Sequence, residues 1–378
     1  MNTKRLFFIH WLRVLVVLSL IPFHASLTYL RYGSVYIKEP VSGLKALPFL
    51  IVSVPLGDFV MTLLFFIAGM ASYYSLENRS RGDYIWERTK KLIFPFLLGW
   101  FLLLCPVTGY IQALYEGYKD GFLHFIPQFF WQSFHYHGYG HLWFLMYLYV
   151  FSLLCVPIFN RWKKDKNHLA KIGTFFSKGH RLLLPAGFIV LLELCLRPFF
   201  HPDAYIIVLD WANDAVYLSL FIFGYVFASD ERLQAKIKGY YKPSVVCGSL
   251  ALATLYYVNI QSQMFYSDAA YLTPLWVLSK GVYECSAIIF LLNFGRSFLN
   301  KGGRVIRYLS GASFTYYIFH YLPVTLFTFL LIDIKMPIFL KFLLVVVLSY
   351  ITVFLIYEFW RKVKPRLKNR GQAPSLRE

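Results

Sequence analysis

The feature that most restricts this chain is the recurrence of apolar runs as long as a bilayer is thick. A helix crossing the hydrocarbon core needs ~20 mostly apolar residues. Runs of that kind occur at 11–30, 56–76, 92–112, 140–160, 181–200, 213–229, 243–260, 274–294, 308–331 and 336–358. Composition agrees, since 58% of the 378 residues are hydrophobic and 20% aromatic, more than a soluble core can hide. The fold class predicted is all-α: a polytopic membrane helix bundle of about ten transmembrane helices. Residues 1–360 read as one membrane domain and 361–378 as a basic tail, with no internal repeat, low-complexity segment or extramembrane domain.

Net charge is +19, which in a soluble protein would point to nucleic acid. Position gives another reason for it. If the chain starts in the cytoplasm, the inner segments hold 29 of the 38 Lys and Arg, and the outer ones hold only Arg31, Lys38, Lys45, Lys119 and Lys335. That bias predicts both termini cytoplasmic, with the tail RKVKPRLKNR meeting anionic headgroups of the bilayer and no nucleic acid as partner. Arg13 within the first run, the length of the run and the lack of a small-x-small site predict a retained helix rather than a cleaved signal peptide. The five cysteines all fall in predicted spans without a C-x-x-C, so they read as apolar packers.

The first run reads LRVLVVLSLIPFHAS, with Arg13 near one end and His24 eleven residues on. Eleven residues turn a helix through about 1100 degrees, within ~20 degrees of three full turns, and rise ~16 Å. Arg13 and His24 therefore share a face. Polar groups at such depth point into the bundle or a watered cavity and are candidates for function; the plainer reading is that Arg13 snorkels to phosphates and His24 bonds a nearby carbonyl. Pro22 is placed to loosen the helix beside His24.

Four ordered patterns then carry a resemblance: the R-x(10)-H of span one, LLFFIAGMASYYSL with the following ERTKKLIFP, GHLWFLMYLYVFSLLCVP, and LSGASFTYYIFHYLPVTLF. In this order and spacing the chain resembles the acyltransferase 3 family of integral-membrane O-acyltransferases over nearly its whole length. IPFHASLTY, LFIFGYVFA and IYEFW are most similar to the branch whose members succinylate periplasmic glucans. The resemblance implies a multi-pass protein of the bacterial inner membrane that moves an acyl group, succinyl or acetyl, from cytoplasmic acyl-CoA to a hydroxyl of an extracytoplasmic carbohydrate. It implies no metal, and leaves open whether a periplasmic partner finishes the transfer. One position departs from the pattern: the usual R-x-x-R reads Arg88-x-x-Lys91, which keeps the charge and loses one planar fork.

Under that reading His24 and Arg13 are the catalytic candidates. Imidazole is the side chain whose pKa suits deprotonating a hydroxyl near neutral pH, directly or after taking the acyl group itself. Guanidinium suits donor phosphates or a developing oxyanion. Arg88 and Lys91, with Lys90, lie where a CoA tail would enter, and His320 in span nine is a candidate for the donor tunnel. His141, Asp58, Glu193, Arg197 and Glu284, with Asp210, Asp214 and Lys280, gather toward the outer half and read as an acceptor vestibule. The alternative for Glu193 with Arg197 and Lys280 with Glu284 is mutual neutralisation at i,i+4 spacing. The triplet His135, His137 and His141 invites a metal, but no carboxylate or cysteine accompanies it. The rival function is a transporter of a glycan or lipid-linked sugar, which would call for repeats in matching halves.

Overall fold

The computed structural model describes residues 6–31, 33, 35, 37–132, 139–200, 210–265 and 273–370, and every regular element among them is helical. In chain order the helices are α1 Phe7–Leu27, α2 Leu47–Glu77, α3 Arg81–Arg88, α4 Phe94–Leu97, α5 Leu104–Tyr115, α6 Phe122–Gln132, α7 Trp143–Lys164 and α8 Lys166–Ser177. They continue as α9 Leu184–Leu196, α10 Trp211–Ser229, α11 Glu231–Lys236, α12 Tyr241–Phe265, α13 Pro274–Phe298, α14 Arg304–Phe319, α15 Tyr321–Leu331 and α16 Ile338–Arg370. Among the described residues nine helical segments are long and apolar enough to cross a membrane, and the pair α14 and α15, bent by 54° at its break, makes ten if it is counted as one span. Each of the ten expected runs is helical in the structure. Backbone polar groups find no water in hydrocarbon, so an apolar run of this length must satisfy them within a helix.

Three departures from regular spans have local causes. The ninth span, expected as one helix over 308–331, breaks at His320. Pro323 has no N–H to give the Phe319 carbonyl, and restarting the helix at Tyr321 places that proline in a first turn, where no donor is required. The third span begins at Arg81 rather than 92, and α3, α4 and α5 are joined by wide π-type turns at Thr89–Ile93 and Leu98–Leu103. Pro95 and Pro106 each remove a ladder donor in this stretch. Arg88 and Lys91 accordingly sit on helix rather than in a loop. Pro22, in contrast, is accommodated within continuous α1.

At the core α2 packs along α10 most extensively and also meets α1, α7, α12 and α13. Two glycines allow the first contact: a Cβ on Gly69 would run into the Phe221 carbonyl, and one on Gly224 into the Phe66 carbonyl. Small residues that let backbones meet are a common means of tight helix packing in lipid, where the hydrophobic effect does not favour one apolar surface over another. Beyond α1 the chain doubles back. Lys38 Nζ donates to the carbonyls of Leu27 (3.3 Å), Leu30 (3.3 Å) and Gly33 (2.7 Å), and Glu39 pairs with Lys341 of α16 at 2.7 Å.

Candidate active site

Helix α1 supplies His24 from its last turn, the short turn before α7 supplies His141, and the break between α14 and α15 supplies His320 and Tyr321. The His24 ring stacks on His320 at 5.2 Å between centroids and meets the edge of Tyr321 at 4.9 Å. His141 stacks on Tyr321 at 5.2 Å and stands perpendicular to His320 at 5.5 Å. Four rings from three parts of the chain thus form one cluster.

Hydrogen bonds set the tautomers. A carbonyl only accepts, so His320 donates its Nδ1–H to Tyr317 O (2.6 Å), leaving Nε2 with a lone pair. By the same argument His141 donates Nε2–H to Ile318 O (2.9 Å). Tyr317 in turn donates its hydroxyl to the His141 carbonyl at 3.0 Å, tying α14 to the start of α7. The Nδ1 of His24 and the Nε2 of His320 are both buried without a hydrogen-bond partner. Such groups are uncommon in folded proteins. Beside His24 lies a small cavity bounded by Thr28, Val35, Ile37, Tyr321 and Thr325. Its roof is the segment that Lys38 and Glu39 hold down.

Arg13 lies on the same face of α1 three turns away, and it too meets α14. Its Nη2 donates to Ser310 Oγ at 2.7 Å, and that hydroxyl also bonds His10 Nδ1 at 3.2 Å. Arg13 Nε is buried without a partner. Helices α1 and α14 therefore run in the same direction, Arg13 beside Ser310 at one end and His24 beside His320 ten residues further along α14.

The other charged candidates divide into two groups. Arg197 donates to both carboxylate oxygens of Glu193 (2.8 and 3.1 Å) and to Asn213 Oδ1 (2.9 Å), with Asp210 at 3.7 Å. Lys280 bridges Glu193 and Glu284, each at 2.6 Å. Glu193, Arg197 and Asp210 have no exposed surface and Glu284 has 1%, so these side chains form a buried network and not the lining of an open vestibule. Asp58 is half-buried and interacts electrostatically with Lys280. At the other end of the bundle Arg88 Nη2 donates to Ser72 Oγ (2.9 Å), which also accepts from Tyr84 (3.0 Å), while exposed Lys91 pairs with Glu87 at 2.6 Å.

His320 and His141, read from sequence as donor and acceptor contacts, thus share one cluster with His24. Tyr321, Tyr317 and Ser310 were not singled out; their signal was adjacency to His320 and membership of LSGAS. His135 and His137 lie outside the described residues. Among the described residues no three His, Cys, Asp or Glu side chains converge so as to hold a metal ion.

An apolar bundle holding two stacked imidazoles, each with one buried nitrogen left without a hydrogen-bond partner, defines an integral-membrane protein with a candidate acid–base centre. The family comparison gives its class: the acyltransferase 3 model, an acyltransferase domain, matches residues 6–358, and the chain belongs to that family. It is similar to glucans biosynthesis protein C of Escherichia coli strain SMS-3-5, 26% identical over 349 residues that cover 86% of this chain and 83% of the relative. The protein of the same name from strain K12 / DH10B is 24% identical over 352 residues with the same coverage. No solved structure matches the chain.

Proposed function

We propose that this membrane acyltransferase transfers a small acyl group from acyl-CoA, held at the basic face of the bundle, to a hydroxyl of an envelope glycan at the opposite face, with His24 as the base. The observation that carries the reading is the buried, unpartnered Nδ1 of His24, whose ring stacks on that of His320 at 5.2 Å beside a small cavity. A hydroxyl needs a base within hydrogen-bond reach, and a neutral imidazole nitrogen supplies one.

In this scheme the acceptor oxygen attacks the thioester carbonyl, the C–O bond forms, the C–S bond breaks, and the hydroxyl proton passes to His24 and then to the leaving thiolate. His320 holds its neighbour in place through a ring fixed by Tyr317. Arg13, anchored on Ser310, binds donor phosphates about 16 Å away. The basic bias of the loops favours both termini in the cytoplasm, and the resemblance favours a bacterial inner membrane. The acceptor being a glucan is supported by the name of the relatives, and the resemblance of the branch favours succinyl as the group moved.

The test compares acyl esters on envelope carbohydrate in cells carrying the intact protein, none, or His24→Ala. Ester should be lost in the last two while the amount of exported glycan is unchanged. Normal acylation by His24→Ala at equal membrane abundance refutes the assignment, and loss of the glycan itself would favour transport.

A further inference from the structure

An apolar groove lies away from the histidines. It runs between α9, α10 and α13, and Phe176, Ala186, Ile189, Phe223, Ile237 and Ile289 are among its walls. No charged side chain lines it. It runs from Leu182, in the turn before α9, to Ile189 of that helix, and along α13 from Cys285 to Leu292, the latter about 10 Å at the rise of a helix. Leu184, Phe188 and Leu191 are exposed on α9, so hydrocarbon surrounds this helix.

One end of the groove reaches the level of the basic loops. Lys236 of α11 donates to the carbonyls of Ser177 (2.6 Å) and Gly179, fixing the loop after α8 against the groove. Arg181 is held over the Phe175 ring at 4.7 Å, and Lys178, Arg181 and Lys238 are exposed beside Leu182 and Ile237 of the wall. The nearby acid Asp230 is paired with Arg232 at 2.6 Å and leaves this rim cationic.

We infer that this groove is a binding site for one anionic phospholipid, its acyl chain between α9, α10 and α13 and its phosphate at Lys178, Arg181 and Lys238. An apolar slot open to the bilayer cannot hold water with hydrogen bonds, and it is filled by hydrocarbon instead. Cations at headgroup level then select charge, each Lys or Arg adding a favourable contribution near an anionic surface. The site does not depend on the role given to His24.

The experiment uses the full chain purified in detergent, washed, and analysed for retained lipid by mass spectrometry, then titrated in nanodiscs with phosphatidylglycerol against phosphatidylcholine. The intact protein should keep a stoichiometric anionic phospholipid. Ala186→Trp, which fills the slot, should lose it. Lys178→Gln with Arg181→Gln should keep a chain in the groove and lose roughly 20- to 30-fold of the preference for the anionic headgroup. No retained lipid in the intact protein, equal retention by a folded Ala186→Trp, or an unchanged preference in the rim variant would each overturn the inference. The rim variant leaves the bundle interior untouched, so it decides the matter if the tryptophan variant fails to fold.

Discussion

Arg197→Met is the most informative change in the bundle. Arg197 lies in a network whose charged members, Glu193, Asp210, Lys280 and Glu284, are three carboxylates and one other cation. Replacing it removes two bonds to Glu193 and one to Asn213, and leaves Lys280 alone to balance three buried carboxyl groups. Breaking a buried pair from one side costs about 3–5 kcal/mol because the remaining charge stays desolvated. At the unfolding entropy typical of a 378-residue chain, that is roughly 4–6 °C in thermal midpoint. The double variant Arg197→Met with Glu193→Met takes out both members, leaving Lys280 with Glu284 and Asp210 with Asn213, and it should recover most of the loss. Thermal unfolding of the purified protein, followed by tryptophan fluorescence, gives all three midpoints. A single variant that melts within about 1 kcal/mol of the parent, or a double variant whose losses simply add, refutes the view that this network holds α9 to α13. A sugar-binding role for Arg197 would raise the acceptor KM and leave the midpoint alone.

Ser310→Ala frees Arg13 Nη2 from its shortest partner, and should reduce kcat/KM for the acyl donor about tenfold while sparing the acceptor KM, measured with varied acyl-CoA. Gly224→Val drives a branched Cβ into the Phe66 carbonyl and should cost more than about 3 kcal/mol, seen as loss of folded protein on size-exclusion chromatography. Between α10 and α11, hydrogen bonds from Arg232 hold the Asp230 carboxyl below its ordinary pKa. Its stabilising contribution is therefore present above the usual carboxylate value and lost as pH falls through the lowered one, so Asp230→Asn should flatten the acid side of a midpoint-against-pH curve.

Much of this architecture was legible in the sequence because hydrocarbon imposes a single length and a single periodicity. All ten apolar runs became helix, nine or ten of them long enough to cross a bilayer. The pairs Glu193 with Arg197 and Lys280 with Glu284 were visible from their i,i+4 spacing. The bridge from Lys280 to Glu193 was not, since it links α13 to α9 across 87 positions and no helical period reports on it. The convergence of His24, His141 and His320 was hidden for the same reason. Each ring could be placed on its own helix face, but only packing decides which faces meet. The break at His320 had a local signal in Pro323, which a hydropathy window averages away. The wide turns at Thr89–Ile93 and Leu98–Leu103 likewise left the apolar run around Pro95 unbroken.

Because α1 and α14 lie side by side and point the same way, the Arg13 guanidinium and the His24 ring are set about 16 Å apart along α1 by helical rise. A compact activated acid, such as an acyl phosphate, would be too short to occupy both at once. If the two side chains take the roles proposed for them, the reagent carries its labile carbonyl at the tip of a slender, extended arm. One residue inserted into α1 between the two positions would swing the ring about 100 degrees from its neighbour and uncouple grip from chemistry without deleting either.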